Sequence, residues 1–101
     1  MFVGVAELAV IIPHSGSLKA KRSALNSMKG RIKSRFNAAV SEVDGQDLWQ
    51  RATLGVSVVG GDPGLLEETL RAIRRVAEGV DAARIVDFRL EVVPWSCGTG
   101  D

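Results

Sequence analysis

The sequence predicts an α+β sandwich, a four-stranded antiparallel sheet with two helices packed on one of its faces. Three observations lead there. Four runs rich in Val, Ile, Leu and Thr are separated by longer stretches whose apolar residues recur at helical spacing, which gives the order β-α-β-β-α-β. Within several runs large apolar residues alternate with polar or small ones, as in a sheet buried on one side. With 101 residues, 46% hydrophobic and 25% charged, the chain makes one small domain with enough apolar side chains for a core.

Phe2–Ile12 is expected to be the first strand, rich in β-branched residues and with Glu7 as its only charge. It lacks the basic start and small-residue cleavage site of a signal peptide, and Pro13 ends it too early to span a bilayer. Pro13–Gly16 reads as a turn. Ser17 is the expected N-cap of a helix reaching Phe36, with Leu18, Leu25, Met28, Ile32 and Phe36 on its apolar face. Ala38–Val43 and Arg51–Val59 make a hairpin around the loop Asp44–Gln50. In its second arm Ala52, Leu54, Val56 and Val58 face the core, and Thr53, Gly55 and Ser57 face away.

Gly60-Gly61-Asp62-Pro63 breaks the pattern and opens a second helix, with Asp62 as N-cap and Pro63 at the first helical position. It runs to Glu78 and is expected to bury Leu66, Leu70, Ile73, Ala77 and Val80. Glu67 with Arg71 and Arg74 with Glu78 stand four apart, pairs worth about 0.2–0.5 kcal/mol each. Ala83–Val93 is the last strand, with Val86, Phe88, Leu90 and Val92 facing in. Residues 1–93 are thus one domain and residues 94–101 a tail. Two right-handed crossovers around a central hairpin define the ferredoxin-like sandwich, strand order 4-1-3-2, both helices on one face.

Charge is distributed far less evenly than the totals suggest. Between Ser17 and Phe36 the chain carries seven basic residues, Lys19, Lys21, Arg22, Lys29, Arg31, Lys33 and Arg35, and no acid. Taking those seven from the 13 Lys+Arg leaves 6 against 12 Asp+Glu, so a helix of charge +7 sits in a remainder of −6. Such a field points to a polyanionic partner. On a helical wheel Arg22, Lys29 and Lys33 fall within about 40° of one another, with Lys19 just outside, and form a cationic ridge. Ser23, Ser27, Gly30 and Ser34 form a second ridge of small side chains beside it, where a phosphate backbone has room to approach. Lys19, Lys21 and Arg22 also crowd the helix start, where the macrodipole disfavours cations by about 0.3–1 kcal/mol each. A phosphate held there by Ser15, Ser17 and free N–H groups would reverse that penalty. The competing expectation is that acids in the Glu42–Asp47 stretch neutralise the cluster.

Other features exclude function classes. His14 and Cys97, each single in the chain, rule out the usual zinc spacings and an internal disulfide. His14 beside Ser15 lacks an orienting acid, and Cys97 has no basic neighbour to activate it. No catalytic residue, metal or cofactor is therefore assigned, no membrane segment is expected, and the compartment is expected to be the cytoplasm. Trp49 in the hairpin loop has two readings, cover for an edge of the core or a contact for a partner. The open sheet face lacks the aromatic residues with which RNA-recognition motifs stack bases, so a nucleic acid would meet the helical side. That open face carries Val3, Val5, Ala9 and Ile11 with Glu7, Arg89 and Glu91, which suits a homodimer or a second partner.

Ser17-Leu18-Lys19-Ala20-Lys21-Arg22 and the run Val43-Asp44-Gly45-Gln46-Asp47-Leu48-Trp49-Gln50-Arg51-Ala52-Thr53-Leu54-Gly55-Val56 resemble the YlxP-like family of small bacterial proteins of unknown function. Gly45 stands where that family's pattern has histidine. The resemblance implies a ferredoxin-like fold and supplies no catalytic residues. It also implies a setting in ribosome assembly or translation, since the genes often lie between those for translation initiation factor 2 and ribosome-binding factor A. The expectation is a non-enzymatic cytoplasmic domain that binds RNA or a ribonucleoprotein through phosphate contacts from Lys19, Lys21, Arg22, Lys29 and Lys33, with Ser15 and Ser17 in support. The alternative is a dimeric protein-interaction or small-ligand regulatory module that binds no nucleic acid.

Overall fold

Strand β1 (Phe2–Ile11) lies at the centre of the sheet, paired antiparallel with β3 (Arg51–Gly60) on one side and β4 (Arg84–Pro94) on the other. Strand β2 (Ala39–Asp44) pairs antiparallel with β3 at the edge, giving the order β2-β3-β1-β4. This is the expected 4-1-3-2 sheet. The computed structural model describes residues 1–46 and 48–96, so Cys97 and the tail after it lie outside the described residues, as does Asp47.

Helices α1 (Leu18–Arg35) and α2 (Pro63–Ala77) cover one face. Ala6, Leu8 and Val10 of β1 and Ala52, Leu54, Val56 and Val58 of β3 point into that layer. They meet Leu25, Met28 and Ile32 of α1 and Leu66, Leu70, Ile73 and Ala77 of α2. Each helix begins where its capping residue dictates. The Ser17 hydroxyl accepts from the Ala20 N–H at 3.1 Å. Asp62 Oδ1 accepts from Gly64 and Leu65, with Pro63 next to it spending no N–H. The Glu67–Arg71 and Arg74–Glu78 pairs form, at 3.0 and 3.4 Å.

Gly4 shows how closely α2 sits on the sheet. A Cβ there would lie 3.0 Å from both Leu70 Cδ1 and Val58 Cγ2. Gly4→Val is therefore expected to cost about 1–3 kcal/mol by overpacking, read as a lowered denaturation midpoint with an unchanged urea m-value.

Two expectations about facing are corrected. The pairing of β1 with β4 slips between Ala9 and Val10, so Val10 meets Ile85 while Ala9 meets Asp87. Val86, expected in the core, is the residue passed over and stands 50% exposed, while Ile85 packs against the core instead. A bulge adds one residue and so inverts the alternation on one side of it. In α1, Leu18, expected on the apolar face, is exposed at the helix mouth, and Lys21 is buried there instead. A second irregularity, between Glu42 and Asp44, passes over Val43. Val43 lies across Gly55 on the open face, where a Cβ would come within 2.8 Å of Val43 Cγ1.

Candidate nucleic-acid interface

Helix α1 shows two different uses of basic residues, separated by their angle around its axis. Lys21, Leu25, Met28 and Ile32 are spaced four, three and four apart, so the lysine lies on the core-facing line. Its side chain is 2% exposed. The ammonium donates to the carbonyl of Gly45 at 2.5 Å and to that of Leu48 at 2.6 Å, and forms an ion pair with Glu42 Oε2 at 2.9 Å. That buried oxygen has no well-aligned hydrogen bond of its own, and Lys21 is its only charge partner among the described residues. Lys21 is thus corrected from a phosphate contact to an internal clamp, because burying an ammonium demands that its donors and charge be met inside the fold.

Ser15 is corrected for the same reason. Its side chain is buried, and its hydroxyl donates to the Ser17 carbonyl at 3.0 Å. Its own carbonyl accepts from Gln50 Nε2 at 3.2 Å. Ser17 remains exposed, its hydroxyl oxygen engaged as the helix cap. His14 takes φ = 69° in the turn before it.

The remaining cations form the ridge. Lys19, Arg22 and Lys33 are exposed and Lys29 half-buried, and none is in an ion pair among the described residues. Of the described acids in the Glu42–Asp47 stretch, Glu42 pairs with Lys21 and Asp44 forms no ion pair among the described residues, while Asp47 lies outside them. Arg31, on the opposite side of α1, donates from Nε to the Val76 carbonyl at 3.2 Å and covers Gly79, tying α1 to the end of α2. The Arg22–Lys29–Lys33 ridge consequently points away from α2, along the β2 side of the molecule. Like charges held side by side without countercharges create a strong local potential, which attracts an extended anion.

Beside that ridge Ser23, Ser27, Gly30 and Ser34 are all exposed. The Ser34 hydroxyl turns inward to the Arg31 carbonyl at 3.1 Å, leaving its lone pairs outward. Nothing lies within 4 Å of a Cβ built on Gly30. Packing within the chain therefore does not require this glycine, whose helical interior position costs about 1 kcal/mol relative to alanine. Gly30→Ala is expected to raise the midpoint of thermal unfolding by about 4–8 °C, checked by circular dichroism.

The loop between β2 and β3 is anchored at several points. Gly45 adopts φ = 83°, where a Cβ would meet the Arg51 carbonyl oxygen at 3.0 Å. The Leu48 N–H closes a turn on the Gly45 carbonyl at 3.0 Å, and Ile12 N–H bonds the Gln50 carbonyl at 2.9 Å. Between these anchors Leu48 is 50% and Trp49 54% exposed, so neither belongs to the buried core.

Among the described residues no group of three or more His, Cys, Asp or Glu is placed to hold a metal, and no helix is long and apolar enough to cross a membrane. A family model described as "Protein of unknown function (DUF503)" matches residues 3–90. The chain belongs to the DUF503 family. It is 31% identical over 93 residues to the "Uncharacterized protein YlxP" of Bacillus subtilis (strain 168), a match covering 92% of this chain and 98% of that protein. Among solved structures, the de novo designed protein Foldit4 superposes with a TM-score of 0.55 at 12% identity, over 95% of this chain and all of the design. The designed protein LFR1 1, titled as having a ferredoxin fold, gives 0.47 at 13% identity over 98% of this chain and 90% of that one. The Foldit4 likeness speaks to fold alone, which natural and designed sequences share across unrelated functions.

Proposed function

We propose that this DUF503 protein is a non-catalytic, cytoplasmic binder of RNA or of a ribonucleoprotein, held by phosphate contacts from Lys19, Arg22, Lys29 and Lys33. The observation that carries the reading is the ridge itself, cations side by side on α1 with no carboxylate paired to them among the described residues. Ser23 and Ser27, exposed beside it, offer hydroxyls to phosphate oxygens, and Ser17 is exposed at the helix start. The translational setting implied by the family resemblance accords with an RNA partner.

Salt dependence tests it. Four phosphate contacts predict that log K falls against log[salt] with a slope near −3, so affinity drops roughly fifty- to a hundredfold between about 50 and 200 mM salt. Fluorescence anisotropy with a labelled RNA hairpin measures this, and salt-independent or absent binding refutes the proposal.

A second reading is favoured by the open sheet face. There a groove of about 640 Å³ is lined by Val5, Val43 and Ser57 together with Glu7, Arg89 and Glu91. Glu7 and Arg89 pair across it, and the carboxylate holds the guanidinium pKa above its ordinary value. A face that carries both signs is self-complementary, so its occupant on this reading is a second copy of the chain. A solution mass of twice the chain's 10.8 kDa would support it, and a monomer mass at high concentration would remove it.

A further inference from the structure

We infer that Trp49 is a base-stacking platform, and that the RNA bound along α1 presents an unpaired nucleotide to it. This rests on the RNA reading and makes it more specific, changing the ligand from a phosphate rail of any shape to one with a single-stranded segment.

The argument starts from how the loop is built. Exposed tryptophan on a loose hairpin tip would collapse onto the nearest apolar surface, yet this indole stands 54% exposed. It stays out because its neighbours on both sides are tied down. Leu48 is held through its carbonyl by the buried Lys21 ammonium at 2.6 Å. Gln50 is held through its side chain by the Ser15 carbonyl and through its own carbonyl by the Ile12 N–H. Gly45, in a backbone conformation that favours glycine, sets the turn that leads there. A buried, charge-paired lysine is a costly way to secure a loop tip, and a preorganised ligand contact is what such rigidity serves.

The same bonds place the indole. Lys21 is in the first turn of α1, and Ser15 is in the turn that precedes it. Both tethers of the Trp49 segment therefore run to the start of α1, where Lys19 and Arg22 begin the cationic ridge. A positively charged track ending at an exposed aromatic ring is the arrangement that proteins use for single strands. Phosphates follow the charges, and a base lies on the ring. Stacking on an indole face tolerates any base, so sequence preference should be weak. The potential around the loop decides between a nucleobase and an apolar pocket on another protein. Lys19 and Arg22 are exposed at the helix start to which the loop is tied and Arg51 is exposed two residues beyond Trp49, against Asp44 among the described acids of the loop, so a nucleic acid is favoured.

The experiment uses the full chain carrying Trp95→Phe, so that Trp49 is the single tryptophan of the two in the sequence. The probes are a single-stranded adenosine oligomer of about twelve nucleotides and a blunt RNA duplex of similar length. Adding the oligomer should quench the Trp49 emission with the same midpoint that anisotropy gives for binding. Trp49→Ala should weaken oligomer binding roughly ten- to a hundredfold and leave duplex binding unchanged, whereas Trp49→Phe should keep most of the affinity. Full-strength oligomer binding by Trp49→Ala, with Lys29→Glu/Lys33→Glu still weakening it about a hundredfold, overturns the stacking role while the helix reading stands. If neither RNA binds the parent protein, both fall together.

Discussion

Lys21→Met should destabilise the domain by about 3–5 kcal/mol, the size expected when one member of a buried ion pair is deleted. Methionine keeps roughly the length and apolar stem of the side chain, so the buried volume is largely preserved and the loss is electrostatic. The Glu42 carboxylate, 22% exposed, is left beside a thioether without its countercharge. The Leu48 carbonyl loses its donor, at about 1–3 kcal/mol for a group left buried and unpaired, while the Gly45 carbonyl keeps the Leu48 N–H and loses only the second of its two donors. Small domains have only about 5–15 kcal/mol of total stability, so urea denaturation should show a large drop in midpoint. Adding Glu42→Leu should recover part of the loss, because a buried pair replaced on both sides by apolar groups is often close to neutral. The recovery should be incomplete, since the Leu48 carbonyl remains without its donor. A single variant as stable as the parent would show that the clamp contributes nothing.

Lys29→Glu/Lys33→Glu should behave in the opposite way. Neither residue is in an ion pair among the described residues, so stability should change by no more than about 1 kcal/mol. RNA affinity should fall by about two orders of magnitude near 0.1 M salt, because two attractions become two repulsions in the middle of the ridge. The slope of log K against log[salt] should become shallower by about two. Anisotropy titrations at several salt concentrations, run beside urea denaturation of the same sample, check both halves. Unchanged affinity with a folded protein would transfer the function away from this helix. Together the two variants separate lysines that hold the fold from lysines that face a ligand.

That separation was partly legible in the chain. Lys21 falls on the line Leu25–Met28–Ile32 at helical spacing, which marks a residue pointing into the core. A count of basic residues along the segment hides this, whereas a wheel drawn around the apolar stripe exposes it. What no wheel supplies is the partner. Glu42 and the carbonyls of Gly45 and Leu48 are more than twenty residues away in sequence, and only strand pairing brings them under the helix. Ser15 carried no signal at all, because the contact on its carbonyl comes from Gln50, thirty-five residues away in sequence. Val86 was misplaced since a bulge moves the inward position by one residue, and alternation alone cannot say where pairing slips. The helix caps Ser17 and Asp62 and the Glu67–Arg71 and Arg74–Glu78 pairs were readable because all their partners are local.

By itself the chain's pattern of apolar residues determined the β-α-β-β-α-β sandwich, its sheet order and most of its core, because burial periodicity and capping act over a few residues at a time. Which of the clustered cations stand outside ion pairs among the described residues, and why Trp49 stands out into solvent, was decided only by the tertiary structure. Those outcomes depend on contacts between α1 and a loop distant in sequence. A charge is available to a ligand only when the fold has brought no countercharge to it.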